Sequence, residues 1–406
     1  MKMDIATIIF TYNRSSHTEK VLNSLKSNTV LPEKLFIFQD GLSRAQDRDE
    51  WERVNNLINN IEWCETKVIV SDSNKGLADS IVDGVSWILE KYSAAVILED
   101  DCVVHPQFME YMILSLLKYA EERKVYCING YGWPVDIAQN GTDAYFIGRI
   151  GTWGWGTWKD RWADYERDYR MLSRIKKDTR SAERLRIWGG DLENVLMGNV
   201  KGTFDSWAVF WALMVIEKDG YCLTPYHSFV DNIGFDGTGV HSGAEKPLQA
   251  LRSLNDRKEI SLPDVIEFPV DHEEAYSDLF LSTSREDRLE CYDQILIKWI
   301  EYIRGGHSIA DLIKKKDIHK IAIWGKGRLC DLLLDGSNGV IDVLAIVETN
   351  PKGGLYRDIP VVSSKDIPVE ADAVIVIPVY DIKKIEKKIR GKSTCKVIGL
   401  DQLFED

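Results

Sequence analysis

The stretch AAVILEDDCVVHPQFMEYM, residues 94–112, runs four apolar residues, Ala95 to Leu98, straight into Glu99, Asp100 and Asp101. Two carboxylates held ~4 Å apart repel by roughly 4 kcal/mol at an effective dielectric near 20, so a counter-charge is expected beside them. Carboxylates at a strand end suit a hard divalent ion that keeps positions open for phosphate oxygens. Successive strand residues face opposite ways, so Glu99 and Asp101 are expected to share one side and Asp100 to take the other. A solvated strand–loop junction with a helix-capping acid explains the motif alone equally well. The apolar strand directly before it tips the reading toward a metal site.

Other residues could complete such a site. Arg14 follows an apolar run that ends in Thr11-Tyr12-Asn13. A guanidinium there can hold phosphate or stack on a base, or form a plain surface ion pair. Asp40 ends FIFQ and can accept from a base imide or a ribose hydroxyl, or serve an Asp-Gly turn. In RIGTWGWGTWKDRW, residues 149–162, glycines let backbone approach a ligand and indoles such as Trp155 offer a flat face to a sugar. The alternative there is a packed aromatic core. Asp205 lies in GTFDSW, among aromatics, where partial desolvation would raise its proton affinity and suit a general base. Capping the next helix is a compatible second role. HSFVDNIGFDGTGVHS, residues 227–242, carries Asp231, Asp236 and His241, and reads as a loop closing over a nucleotide or as a long turn.

These residues need a scaffold. Apolar runs at Asp4–Thr11, Lys34–Gln39, Lys67–Val70 and Ala94–Leu98 alternate with helical patterns at Ser16–Ser27, Asp49–Ile61 and Leu77–Lys91. That alternation predicts a parallel sheet covered on both faces, with ligands outside the carboxyl ends of its strands. Short strands are expected at Tyr126–Asn129 and Ala144–Ile147, and a helix over Ser206–Lys218. Residues 245–285 read as an irregular linker or wrapping arm. Arg285–Ile303 reads as an amphipathic helix with Leu289, Tyr292, Leu296, Trp299 and Ile303 on one face. A new βαβ pattern begins at Lys320–Trp324 and continues through Val343–Val347, Ala373–Ile377 and Lys396–Leu400. The divisions expected are 1–265, a linker and helix over 266–315, and a small Rossmann-like domain over 316–406.

The 406 residues carry a formal charge of −13, which argues against nucleic-acid binding. Seven scattered cysteines without metal spacing suggest a reduced, cytoplasmic chain. No apolar window is long enough to span a membrane, so attachment is expected to be peripheral at most.

Five blocks carry a resemblance: NRS (13–15), FIFQDG (36–41), residues 94–112, GTWGWGTWKDRW (151–162) and FDSW (204–207). In this order they resemble the GT-A glycosyltransferases, and most closely the N-acetylglucosaminyltransferase I family. The resemblance implies a UDP-sugar donor, Mn2+ (or Mg2+) and a saccharide acceptor; the lack of a secretory signal points to an acceptor on a lipid carrier or a surface polysaccharide. It implies that Arg14 and Asp40 hold the uridine diphosphate. Asp101 would ligate the metal, with Asp100 on the ribose or sugar and Glu99 in support. Asp205 would be the base of an inverting transfer. The family also uses a histidine on the helix before the metal strand. None occurs in Leu77–Lys91, which leaves Ser80 as a substitute. His241 lies in a block only loosely like the family's late loop.

Two other readings compete: a nucleotidyltransferase, for which FTYNRSS is poor in glycine, and a non-catalytic binding module. In the last ninety residues GKGRLC (325–330) lacks the third glycine of the dinucleotide fingerprint, and Glu348 stands near the position of a ribose-binding acid. A scaffolding or oligomerising role is favoured there over cofactor binding.

Overall fold

Strand alternates with helix from the start, because apolar runs of five to seven residues are separated by sequences with an apolar stripe at helical spacing. The computed structural model describes residues 3–135, 137–139, 141–236, 259–268, 273–280, 285–337, 339–348, 351, 353–389 and 395–404. The chain forms two compact units, Met1–Ser282 and Thr283–Asp406.

The first unit opens with β1 (Ile5–Thr11), α1 (Ser15–Lys26), β2 (Leu35–Gln39), α2 (Arg48–Asn59), β3 (Thr66–Val70), α3 (Leu77–Leu89) and β4 (Ala94–Glu99). Then follow β5 (Cys102–Val104), α4 (Phe108–Lys118), β6 (Val125–Asn129), β7 (Ala144–Ile147), β8 (Trp155–Trp158), α5 (Lys159–Trp162), α6 (Met171–Lys177), α7 (Thr179–Trp188), α8 (Leu192–Lys201) and α9 (Ala208–Glu217). It closes with β9 (Tyr221–Pro225), β10 (Val230–Asn232) and α10 (Glu273–Phe280). Eight strands form one mixed sheet in the order β3-β2-β1-β4-β8-β6-β9-β7.

The four strands β3, β2, β1 and β4 are parallel and in register at their ends: Gln39 pairs with Thr11 and Val70, and Glu99 with Phe10. Their carboxyl ends therefore make one rim. Alternate residues feed two cores. Ile8, Phe10, Ala95 and Ile97 pack on one face, and Ile9, Val96 and Leu98 on the other. β5 pairs antiparallel with β10, Cys102 opposite Asn232, which carries the late loop back to the rim.

α9 is buried around most of its circumference, from Val209 to Ile216, as the central helix of the first core. Part of the segment read as irregular is helical: α10 packs on α7, with the Tyr276 and Trp188 rings 5.2 Å apart.

The second unit contains α11 (Arg285–Arg304), α12 (Ile309–Lys315), β11 (Lys320–Trp324), α13 (Arg328–Ser337), β12 (Asp342–Val347), β13 (Leu355–Tyr356), β14 (Ile359–Val362), β15 (Ala373–Val376), α14 (Ile382–Ile389) and β16 (Lys396–Gly399). Its sheet has the order β13-β14-β12-β11-β15-β16, parallel except for the β13 edge. The buried face of α11 differs from the sequence reading. Ile295 and Trp299 are buried with Cys291, Tyr292 and Tyr302 against them, whereas Ile303 is exposed. Tyr302 takes the place expected of Ile303 because apolar character also occurs at 297, 300 and 303, so the stripe is not unique in the sequence. No helix among the described residues is long and apolar enough to cross a membrane.

Candidate functional site

The charge that offsets the acidic triplet is Arg14. The chain leaves β1 at Thr11, turns, and enters α1 at Ser15, which places the Arg14 guanidinium over the end of β4. Its Nε donates to Asp100 Oδ2 at 3.3 Å, and its Nη2 donates to Asp100 Oδ1 and to Asp101 Oδ2, the latter at 3.0 Å. Asp100 and Asp101 thus meet on one cation rather than facing opposite ways. β4 ends at Glu99, and strand alternation does not extend past it. Burial opposes the charge on Arg14, but the two carboxylates outweigh it and hold the guanidinium protonated. Burial lifts the proton affinity of Asp100, and Arg14 offsets part of that rise. Glu99 is pushed up to about 8, first by burial and then by Asp101 and Asp100. One guanidinium nitrogen, Arg14 Nη1, is buried without a hydrogen-bond partner among the described residues.

Sequence reasoning passed over Asn232 and His17. Asn232 Nδ2 donates to Asp101 Oδ1 at 3.2 Å, while its Oδ1 accepts from Gly234 N–H at 2.8 Å. Only the β5–β10 pairing brings Asn232 there, and pairing across 130 positions leaves no local trace. His17, on α1, lies 3.1 Å from Asp236 and adds to the field at Asp100. The cue available was its spacing of three from Arg14, which places both at the amino end of one helix.

A divalent ion fits this rim only in a particular way. Among the described residues no group of three or more His, Cys, Asp or Glu is arranged to hold a metal. At the strand end Glu99 and Asp101 are partly exposed, and Gly234 leaves room at Asp101 Oδ2. A Cβ at position 234 would lie 2.3 Å from that oxygen. Such a donor set suits a hard cation that brings most of its ligands with it, as phosphate oxygens and water.

Other expected residues are placed differently. Thr11 is buried at the end of β1, its hydroxyl 3.0 Å from that of Thr18. Asp40 is a latch: Oδ1 accepts from Gly41 and Lys75 N–H and Oδ2 from Gly76 N–H, each at 2.9 Å. The turn reading therefore explains its burial without a nucleotide. Asp40→Ala is expected to destabilise the protein by on the order of 3 kcal/mol, since three backbone donors lose a charged acceptor. Urea unfolding with an unchanged midpoint would show that the latch is not needed.

Trp155 does not present a face to a sugar. It is 1% exposed and stacks on Trp207 at 5.2 Å, inside a cluster with Trp162 and Trp211. Trp153, partly exposed, lies 5.6 Å from the ring of Phe235, next to Gly234. The glycine between them, Gly154, has a positive φ, and a Cβ there would meet Val230 at 2.8 Å. Close packing, not ligand approach, requires it.

Asp205 is exposed, so the desolvation argument does not hold for it. Nor does it cap α9, whose N-cap is Trp207 with no side-chain bond. Its loop is pinned instead by Asn199, which accepts from Ser206 N–H at 3.0 Å and donates to Ser206 C=O at 2.9 Å. Ser80 Oγ is buried without a partner among the described residues. Asp236 is exposed beside His17, Asp231 lies on β10, and His241 falls outside the described residues.

Next to Asp205, Phe204 borders a cleft of about 390 Å3 walled by Trp133, Arg149, Asp191, Asn194 and Phe280 among others. Arg149 and Asp191 form a two-point ion pair at 2.8 and 2.7 Å. Aromatic rings connect this cleft to the rim: Trp153 to Tyr131 at 4.6 Å, Tyr131 to Trp133 at 5.5 Å, and Trp133 to Phe280 at 5.0 Å.

No curated protein sequence matches the chain. Among solved structures, it is similar to the mannosyltransferase PcManGT from Pyrobaculum calidifontis in complex with GDP-Man and Mn2+. That likeness has 9% identity and a TM-score of 0.31, and covers 54% of this chain and 70% of that one. It is similar also to S. aureus TarS 1-349 in complex with UDP-GlcNAc, at 12% identity and a TM-score of 0.27, covering 42% of this chain and 47% of that one. The chain thus spans about half the length of that second relative. Residues 7–171, which contain most of β1 and the whole of β2, β3 and β4 with Arg14, Glu99, Asp100 and Asp101, match the model of Glycosyl transferase family 2; the chain carries a glycosyltransferase domain.

Proposed function

We propose that the first unit transfers a sugar from a UDP-sugar to a saccharide hydroxyl, with inversion at the anomeric carbon and with a divalent cation. The observation that carries this reading is Arg14, seated on Asp100 and Asp101 at the strand-end rim with one buried nitrogen unpartnered. A guanidinium so placed fits a diphosphate oxygen. Asp101 would hold the cation, which when bound supplies charge neutralisation for the departing diphosphate. Asn232 fixes the Asp101 carboxylate, and Asp100, both of whose oxygens accept from Arg14, would meet hydroxyls of the donor only by giving up one of those bonds. Asp205 receives the proton of the acceptor hydroxyl, and the cleft beside Phe204 positions that acceptor through its aromatic walls and the Arg149–Asp191 pair. N-acetylglucosamine is the donor sugar favoured by the resemblance of the sequence blocks. A free or lipid-linked saccharide is the acceptor class we infer, met on the cytoplasmic side, with the protein peripheral to the membrane.

The test is a thermal-shift screen of nucleotide sugars with and without Mn2+, followed by a product assay. One UDP-sugar should stabilise the protein selectively, by about 2.7 kcal/mol at a hundredfold excess over its Kd, and only with the metal present. Turnover should release UDP. Release of pyrophosphate would instead make the enzyme a nucleotidyltransferase, and an equal response to every nucleotide would leave only a binding module.

A further inference from the structure

The second unit has a cleft that the proposed transfer does not use. In chain order its parallel strands lie 3-2-1-4-5 across the sheet, so β11 has the second strand on one side and the fourth on the other. The crossover helices confirm the reversal: α13 packs with Ile321 and Ile323 on one face, and α14 with Ala322 and Trp324 on the opposite one. The switch point therefore lies between β11 and β15. Open α/β sheets bind ligands outside the strand ends at that point. A cleft of about 500 Å3 occupies this place, bordered by Gly325, Lys326, Glu348, Pro378, Tyr380 and Lys388 among others. Its size is within the range of small-molecule sites.

The lining states what kind of ligand would fit. Two lysines, Lys326 and Lys388, and two acids, Glu348 and Asp381, line the one cleft. A simple anion would meet as much repulsion as attraction there. A molecule carrying both an anionic group and hydroxyl donors would satisfy both sets. Glu348 sits directly after β12, its N–H donating to Val362 C=O at 3.0 Å, so its backbone is held at the strand end beside the cleft. Gly325 and Gly327 both have positive φ, and a Cβ on Gly327 would meet nothing within 4 Å, so the loop leaves open space above the start of α13. Tyr380, paired edge-on with Tyr292 at 5.8 Å, adds an aromatic wall.

We propose that the second unit binds the ribose-phosphate of a nucleotide in this cleft, with Glu348 accepting from the ribose hydroxyls and Lys326 facing the phosphate. The site is separate from the donor rim and does not depend on the proposed transfer. Hydrogen–deuterium exchange of the full chain tests it, because peptides locate the ligand. AMP and UMP should slow exchange in residues 324–331 and 376–382, and inorganic phosphate should not. Glu348→Gln should weaken that protection about tenfold or more, a change of 1.4 kcal/mol or more in binding. Lys326→Ala, at an exposed position, should weaken it as well. No protection of these peptides by either nucleotide would overturn the proposal. So would equal protection by inorganic phosphate, or full protection in a folded Glu348→Gln protein.

Discussion

Asp205→Asn is expected to lower kcat by about 10²–10⁴-fold, the usual contribution of a positioned general base. Donor affinity and the unfolding midpoint should stay where they are. Asp205 is exposed and does not cap α9, and the loop that carries it is held by Asn199 rather than by its own side chain. The substitution replaces a proton acceptor with an amide of nearly the same shape and, among the described residues, breaks no side-chain hydrogen bond. A loss of rate therefore reports chemistry, and a KM-against-kcat comparison separates it from acceptor binding. An unchanged kcat would move the base to another residue.

Arg14→Ala is expected to destabilise the first unit by about 3–5 kcal/mol, the cost of leaving a buried charge without its partner. Asp100 is 4% exposed and receives two hydrogen bonds from Arg14, so little water can replace the guanidinium. Arg14→Ala/Asp100→Asn should recover most of the stability, because the unpaired charge is then gone. It should not recover donor binding, since the nitrogen left for a phosphate oxygen goes with the arginine. Thermal unfolding of the two single variants and the double variant gives the coupling energy directly. Additive effects would mean that the pair does not hold the rim together.

The parallel strands were legible because interior strands are short apolar runs with clear ends. The rim followed from them, since register brings Thr11, Gln39 and Val70 level and sets Glu99 opposite Phe10, one residue before Thr11. The positions of individual side chains were harder to read. Trp153 and Trp155 stand two apart in a tryptophan-rich segment, and only packing against Trp207 or Phe235 decides which one is buried. Asp205 was read as desolvated from its aromatic neighbours in sequence, yet Phe204 is itself 47% exposed. Adjacent aromatics do not bury an acid unless they turn toward it. Asn232 reaches Asp101 by a pairing between β5 and β10 that no local pattern encodes. Asp40 showed its turn chemistry in the Asp-Gly pair, but the partners at Lys75 and Gly76 depend on how closely two loops approach.

Arg14 also bears on the order of events at the rim. Because the chain supplies its own positive group to Asp100 and Asp101, like charges are already balanced when folding ends, before any small molecule arrives. In the proposed reading a diphosphate would meet a guanidinium that is already in place, through the nitrogen the two carboxylates leave without a partner. Admission would then need no rebuilding of the rim, and the backbone of the sheet could stay still.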